Sequence, residues 1–347
     1  MYIKRILLGI ALVGLIGGGI FAYIVFGTFF TPNTNFNNDE AIVFIPSNAS
    51  VSDLEERLAP LLEDFGSFKS AAERKGYISN IKPGRYRVAK GMNNNEIVNS
   101  LRSGNLPVKV SFNNQESIND LAGRIASQIE ADSVALLTAF DDKEFLKANG
   151  FDDDNKISLY IPNSYEFFWN TSAEGFRGRM LKEYNRFWTD TRKEKASAMG
   201  LKPNEVIALA SIVHKETAKV DERPTVAGVY LNRLRKGMLL QADPTVIYAI
   251  KKETGNYDTI IKRVLYRDLE MDSPYNTYKY AGLPPGPIAM PDITAIDAVL
   301  NPKKHNYYYF VANVEKFGYH MFAENLTQHN RNKEQYIRWI NAQKINR

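Results

Sequence analysis

Apolar positions change their period several times along the chain, and each change marks a new element. From Ile6 to Phe30 the sequence is an uncharged run dominated by Leu, Ile, Val, Phe and Gly. As a helix, this run would span about 37 Å at ~1.5 Å per residue, enough to cross a ~30 Å hydrocarbon core with some tilt. A cleaved signal peptide needs an apolar stretch of only about 7–15 residues closed by small side chains. This run is longer and ends in no such site, so an uncleaved transmembrane helix over 6–30 is expected. Residues 31–40 (TPNTNFNNDE) are polar and aperiodic, and read as a linker.

Periodicity resumes with AIVFIP (41–46), a strand pattern, and with Leu54, Leu58, Leu61 and Leu62, a helical one. A second helix is expected from Phe65 to Lys75. KPGRYRV (82–88) combines a Pro-Gly turn with a strand in which Tyr86 and Val88 alternate with Arg85 and Arg87. Ile97, Val98 and Leu101 define a helix from Asn93 to Ser103, stopped by Gly104. Residues 41–106 therefore read as a small α+β module. VKVSF (108–112) is a strand pattern, and Ser117–Ala131 an amphipathic helix with Ile118, Leu121, Ile125 and Ile129 on one face. Polar loops follow around Asp141 and 152–155, then helical patterns from Gly175 to Met199, so 107–203 is a connecting region of mixed character. In Asn204–Val220 the residues Val206, Leu209, Ile212, Val213 and Val220 form another helical stripe. The expected fold class is α+β: an N-terminal transmembrane helix, a small α+β module, then a larger α+β domain over 204–340.

Charge orients the span. Lys4 and Arg5 precede it, whereas the flank after it carries only Asp39 and Glu40, and the next basic residue is Arg57. The positive-inside rule then leaves residues 1–5 as a cytoplasmic tail and exports the rest, a domain tethered to the cytoplasmic (inner) membrane by a single pass. Composition narrows the chemistry. The 347 residues include no Cys, which excludes disulfides, thiolate nucleophiles and Cys-ligated metal centres, and the four His make a His-rich metal site unexpected. The formal net charge of +5 comes from 44 Lys+Arg against 39 Asp+Glu spread along the chain, without a basic block, so no nucleic-acid partner is expected.

The candidate chemistry lies after residue 204. Glu216 sits at i+3 from Val213, i+4 from Ile212 and i+7 from Leu209, within the apolar stripe. Burial raises a carboxyl pKa, the condition a general acid needs to hold its proton near neutral pH; pairing with an Arg or Lys would serve structure instead. LLQADPTVIY (239–248) places Gln241, Asp243 and Thr245 on alternating positions around a Pro, suited to a polar ligand. SPYNTYKYAGLPPGPIAMP (273–291) combines Tyr side chains, Asn276 and five prolines. Tyr faces beside amides and hydroxyls suit a sugar, and a Pro-rich wall packed on the core is the alternative. His214-Lys215-Glu216 matches H-x-E without the cysteines of a zinc deaminase, His320 and His329 fit no zinc spacing, and no G-x-S-x-G occurs.

Several ordered segments carry a resemblance: ASIVHKET (210–217), ERPTVAGVYLNRL (222–234), LQADPTVIY (240–248), YNTY (275–278), GLPPGPI (282–288), YYFVA (308–312), HMF (320–322) and LTQHN (326–330). With KPGRYRV and the anchor upstream, the chain resembles the endolytic murein transglycosylases, the YceG-like family, over most of its length. The resemblance implies that 41–106 is a LysM-like module and 204–340 the YceG-like catalytic domain. It places the catalytic glutamate of the KET triplet at Glu216. His214 stands where many family members carry another Glu, a departure that bears on the charge near Glu216.

The implied reaction cuts the β-1,4 bond between N-acetylmuramic acid and N-acetylglucosamine and leaves 1,6-anhydromuramic ends, terminating nascent glycan strands. Glu216 would protonate the glycosidic oxygen and then take the proton of the muramoyl 6-hydroxyl as it attacks C1. Gln241, Asp243, Thr245, Asn276, Tyr278 and His320 are the candidate substrate-binding residues, with no cofactor and no metal. The expected partners are peptidoglycan strands, the membrane, and peptidoglycan synthases or division and elongation proteins. Two other readings fit the same residues: a tethered, non-catalytic peptidoglycan-binding scaffold, and a muramidase in which water attacks C1, with Asp243 as a second carboxylate.

Overall fold

A computed structural model describes residues 2–342. The chain divides into two compact units, one formed by the residues up to 110 with 128–131 and 165–172, the other by 111–127, 132–164 and the residues from 173 onward.

The first unit begins with α1 (Tyr2–Phe30), a helix without a buried residue along which Leu8, Leu15 and Tyr23 are each more than 70% exposed. It is long and apolar enough to cross a membrane. Strand β1 (Glu40–Ile45) pairs antiparallel with β2 (Gly84–Ala89), Val43 facing Tyr86 and Ala41 facing Val88. Helices α2 (Val51–Leu58), α3 (Phe65–Arg74) and α4 (Asn94–Ser103) supply the remainder of a core of Leu54, Leu58, Phe68, Ile97, Val98 and Leu101 against Val43, Ile45 and Tyr86. Capping boxes at Ser50/Asp53 and Asn93/Glu96 satisfy the free N–H groups that start α2 and α4. The segment read as a linker is docked onto this unit. Asn33 is buried, donates through its amide to Asp64 O at 2.9 Å and to Asn94 Oδ1 at 2.7 Å, and accepts from Asp64 N–H. Asn94 in turn donates to Thr28 O at the end of α1.

Strands β3 (Pro107–Phe112) and β4 (Asn163–Phe168) pair in a two-stranded sheet. The second unit is mainly helical: α5 (Ile118–Ala126), α6 (Ser133–Phe140), α7 (Lys143–Ala148), α8 (Ala173–Phe187), α9 (Asp190–Ala198), α10 (Pro203–Glu216), α11 (Arg223–Arg235), α12 (Asp243–Thr254) and α13 (Ile293–Leu300). A hairpin of β5 (Tyr309–Ala312) and β6 (His320–Ala323) follows, with α14 (Leu326–Ala342) packed on it. Its centre is α10, in contact with α11, α12 and α13. Every residue from Val206 to Val213 is buried, so α10 is an inner helix covered on all sides rather than a surface helix with one apolar stripe.

Two expectations are corrected and a third is resolved into its elements. The helix expected over Ser117–Ala131 ends at Ala126, where Ser127 caps it, and Ile129 is buried outside it. Tertiary bonds compete there: the Glu130 carboxylate accepts from Ser47 N–H and Oγ at 2.7 and 2.6 Å, and Glu130 N–H donates to Trp169 O. The pattern from Gly175 to Met199 is two helices, broken where Thr189 caps α9. The helix expected to reach Val220 stops at Glu216, and Val220 is 53% exposed.

The Pro-rich segment 273–291 has no regular secondary structure, yet Tyr275, Asn276, Thr277, Ile288, Ala289 and Met290 are all buried. Its Gly286 has no alternative: a Cβ there would lie 1.9 Å from Asp154 O.

Candidate active site

Glu216 is the last residue of α10 and keeps only part of its surface open to solvent. Its Oε1 accepts a hydrogen bond from the Tyr230 hydroxyl, on the neighbouring α11, at 2.7 Å. Burial pushes the Glu216 pKa from the ordinary 4.5 up to about 7, against the Tyr230 hydrogen bond and the pull of His320; the charge of Asp243 adds to the rise, and Arg233 opposes it. A helix C-terminus also disfavours a carboxylate, because the last carbonyls concentrate negative partial charge. The group is therefore divided between its acid and its base form at neutral pH.

Asp243 opens α12 and accepts from the Tyr278 hydroxyl at 2.5 Å. The adjacent Gln241 is, among the described residues, the one non-glycine residue with positive φ (48°); its side chain is exposed and its N–H donates to Thr277 O. Such strained backbone tends to occur where a loop must hold a functional shape. The strain is fixed by buried neighbours, since Leu240 and Ala242 are both fully enclosed.

His320 opens β6. Its backbone N–H reaches Glu222 Oε1 at 2.7 Å and its Nδ1 lies 2.8 Å from Glu222 Oε2, which also accepts from the Thr217 hydroxyl. Burial alone would raise the Glu222 pKa, but the bonds from His320 and Thr217 outweigh it and hold the carboxyl below its ordinary range. Phe310 meets both His320 and Tyr230 edge-on, with ring centroids 5.0 and 5.9 Å apart. Arg233 of α11 donates to Tyr308 O and Leu240 O, each at 2.6 Å, fixing the hairpin and the Gln241 loop to one helix.

The structure thus brings together Glu216, Asp243, Tyr278 and His320 of the residues singled out in the sequence, with Gln241 exposed beside Asp243. Two others are corrected. Thr245 and Asn276 are fully buried, so neither presents a polar group to a ligand. Thr245 donates to Ala242 O and meets Thr277 Oγ1, while Asn276 donates to Leu269 O and Met271 O; both build the wall behind the site. His214 lies two residues before Glu216, a spacing that puts the two side chains on different faces of α10. Arg223 Nη2 lies 3.2 Å from His214 Nδ1, and Asp292 is 3.3 Å from the same atom. Burial lowers the His214 pKa, and Asp292 only partly offsets this.

Tyr230, Glu222 and Arg233 lie in the quoted ERPTVAGVYLNRL segment but were assigned no role. No local signal marked them, because α11 and its cap carry several other polar residues; what sets these three apart is that all are buried. Among the described residues, no group of three or more His, Asp or Glu side chains is placed to hold a metal ion.

A family model described as the YceG-like family matches residues 43–335. A Bacillus subtilis protein named endolytic murein transglycosylase is 32% identical over 315 residues, covering 84% of each chain. A Streptococcus pneumoniae protein of the same name is 28% identical over 355 residues, and the match covers 93% of this chain but 63% of that relative's length. The crystal structure of a yceG-like protein from Listeria monocytogenes aligns with a TM-score of 0.57 at 28% identity, over 85% of this chain and 99% of the other. By the extent of the family match and the identity to the Bacillus relative, the chain belongs to the YceG-like family.

Proposed function

We propose that this protein is a peptidoglycan lytic transglycosylase in which residues 204–340 form the catalytic domain and Glu216 is both acid and base. The observation that carries the reading is a single half-buried carboxyl with a pKa of about 7, held by Tyr230 at the mouth of a polar cluster. One group can give and then take a proton efficiently only when its pKa lies near the working pH. Protonated Glu216 donates to the glycosidic oxygen as positive charge grows on the muramoyl C1. The carboxylate that results keeps the Tyr230 hydrogen bond. It then accepts the proton of the muramoyl 6-hydroxyl, whose oxygen closes on C1 to form the 1,6-anhydro ring. Asp243 faces the reacting region and favours the cationic transition state electrostatically. Gln241, Asp243, Tyr278 and His320 are assigned to sugar binding. Residues 41–106 are assigned as a LysM-like module that positions glycan, and 107–203 as a connecting region.

The names of the Bacillus and Streptococcus relatives support this substrate and reaction. The test is mass spectrometry of muropeptides released by the protein and by Glu216→Gln. The unmodified protein is expected to yield 1,6-anhydromuramic ends, and the Gln variant to lose about 10²–10⁴-fold in rate or more. Full activity in the variant would move the acid elsewhere.

A hydrolytic second reading is favoured by one observation. The charge of Asp243 adds to the rise of the Glu216 pKa, so a second carboxyl stands in the neighbourhood of the acid. Reducing-end products from the unmodified protein would select it, with water in place of the 6-hydroxyl. We assign α1 as a single-pass anchor with Lys4 and Arg5 inside and the catalytic domain outside. At that surface the protein would terminate nascent strands beside peptidoglycan synthases or division and elongation proteins.

A further inference from the structure

Where α10 ends and α12 begins, the second unit holds a cavity of about 290 Å³, lined by Lys215 and Pro244, that the chemistry above does not use. Its floor is one face of α12, where Pro244, Ile247, Tyr248 and Lys251 follow at i, i+3, i+4 and i+7. Lys215, the residue before Glu216, forms its near wall, and Ile260 covers it from the segment after α12. The polar groups have a definite arrangement. Glu116 takes Lys215 on one carboxylate oxygen and Lys251 on the other, the latter at 2.6 Å, while Asp258 stands exposed at the rim. Lys251 is the more enclosed ammonium, with 12% of its side chain exposed. The cavity thus offers two ammonium groups tied to a single carboxylate, a free carboxylate at the edge, and isoleucine walls.

We propose that this cavity binds the stem peptide carried by the muramoyl residue on the donor side of the scissile bond. The inference rests on the transglycosylase reading and names a determinant of its substrate. The argument is one of position and charge. Glu216 must meet the oxygen on the muramoyl C1, and the peptide leaves the same ring through its lactyl ether at C3. A peptide therefore departs within one sugar ring of the acid. The cavity's lining includes the sequence neighbours of both carboxyls, Lys215 before Glu216 and Pro244 after Asp243, so the same ends of α10 and α12 carry the acid and the cavity. A stem peptide carries carboxylates, an amine-bearing side chain and alanine methyl groups. Lys251 and Lys215 match the first, Asp258 the second, and Ile247 and Ile260 the third. A bare glycan offers none of these to the cavity.

The test uses the full chain in detergent with two substrates: glycan strands with their stem peptides, and the same strands stripped by an amidase. Lys251→Met is expected to lower kcat/KM on peptide-bearing strands about tenfold or more, chiefly through KM, and to leave stripped strands unchanged, because it removes one charge-assisted contact. Ile260→Glu, at a position 82% exposed and free of any core role, is expected to act in the same direction. Equal losses on both substrates, or no loss on either, would overturn the proposal. Binding of a soluble peptide-bearing disaccharide to the Glu216→Gln chain, with and without Lys251→Met, separates the two readings. Peptide binding that depends on Lys251, in a protein that releases no muropeptides, would sink the transglycosylase assignment and leave the cavity's. Cleavage without any peptide dependence would do the reverse.

Discussion

Glu216 places function and stability in opposition. Its pKa rises from 4.5 to about 7 on folding, so the folded state favours the neutral form. The sign follows: its contribution is fully present below pH 4.5 and is lost as pH rises through about 7, where a buried carboxylate must be accommodated. Glu216→Gln removes that cost. The variant is expected to gain on the unmodified protein between those two values, by about 3 kcal/mol at the upper end, and thermal melts at pH 4, 6 and 8 measure the gap. A gap that stays constant with pH would contradict the assignment. Tyr230→Phe tests the partner. Its hydroxyl lowers the Glu216 pKa, so without it the basic limb of the pH–rate profile should move to higher pH, with a stability loss of about 1 kcal/mol.

Between elements, the critical bonds join segments distant in sequence. Glu222 ties the end of α10, through Thr217, to β6, through His320. Its depressed pKa adds stability above its ordinary 4.5, and that contribution disappears as pH falls through the folded value. Glu222→Gln is therefore expected to cost about 1–3 kcal/mol at pH 7 and progressively less on acidification, read by urea titration at several pH values. Gly286→Ala should destabilise more at every pH, because a methyl group there meets the backbone of Asp154 rather than a movable side chain. These contacts also explain what sequence reading reached and what it missed. Glu216 drew notice as a carboxylate at the spacing of apolar neighbours, but its proposed catalytic role came from the resemblance of the KET triplet, because the pattern alone fits a paired structural carboxylate as well. Tyr230 drew none, because its partner lies on another helix and no spacing within either announces the contact. Thr245 and Asn276 looked like sugar ligands for a related reason. Polarity marks a residue that needs hydrogen bonds, but not whether the protein or a ligand supplies them, and here backbone carbonyls do. Helices α2 to α4 were readable because capping and apolar period agree, whereas α5 stops early on account of bonds made by Glu130 to residues far away in the chain.

For the whole molecule, the docked segment after α1 bears on the proposed anchoring, because it limits how far the first unit can move from that helix. Asn33 and Asn94 fasten the end of α1 to the body of the first unit, so the polar stretch that reads as a flexible linker has little slack to pay out. A protein on a loose leash samples a hemisphere of cell wall; one clamped at the foot of its membrane helix samples a thin shell. Under the proposed anchoring by α1, the clamp would act as a ruler that holds the first unit at the bilayer, and cutting would favour strands close to where they are made. Inserting about ten Gly and Ser residues after Phe30 would add roughly 17 Å of slack. Cells carrying the insertion are expected to show a broader distribution of glycan lengths by chromatography, with total 1,6-anhydro ends unchanged. An unaltered distribution would mean that something other than the clamp sets the distance of the cut from the membrane.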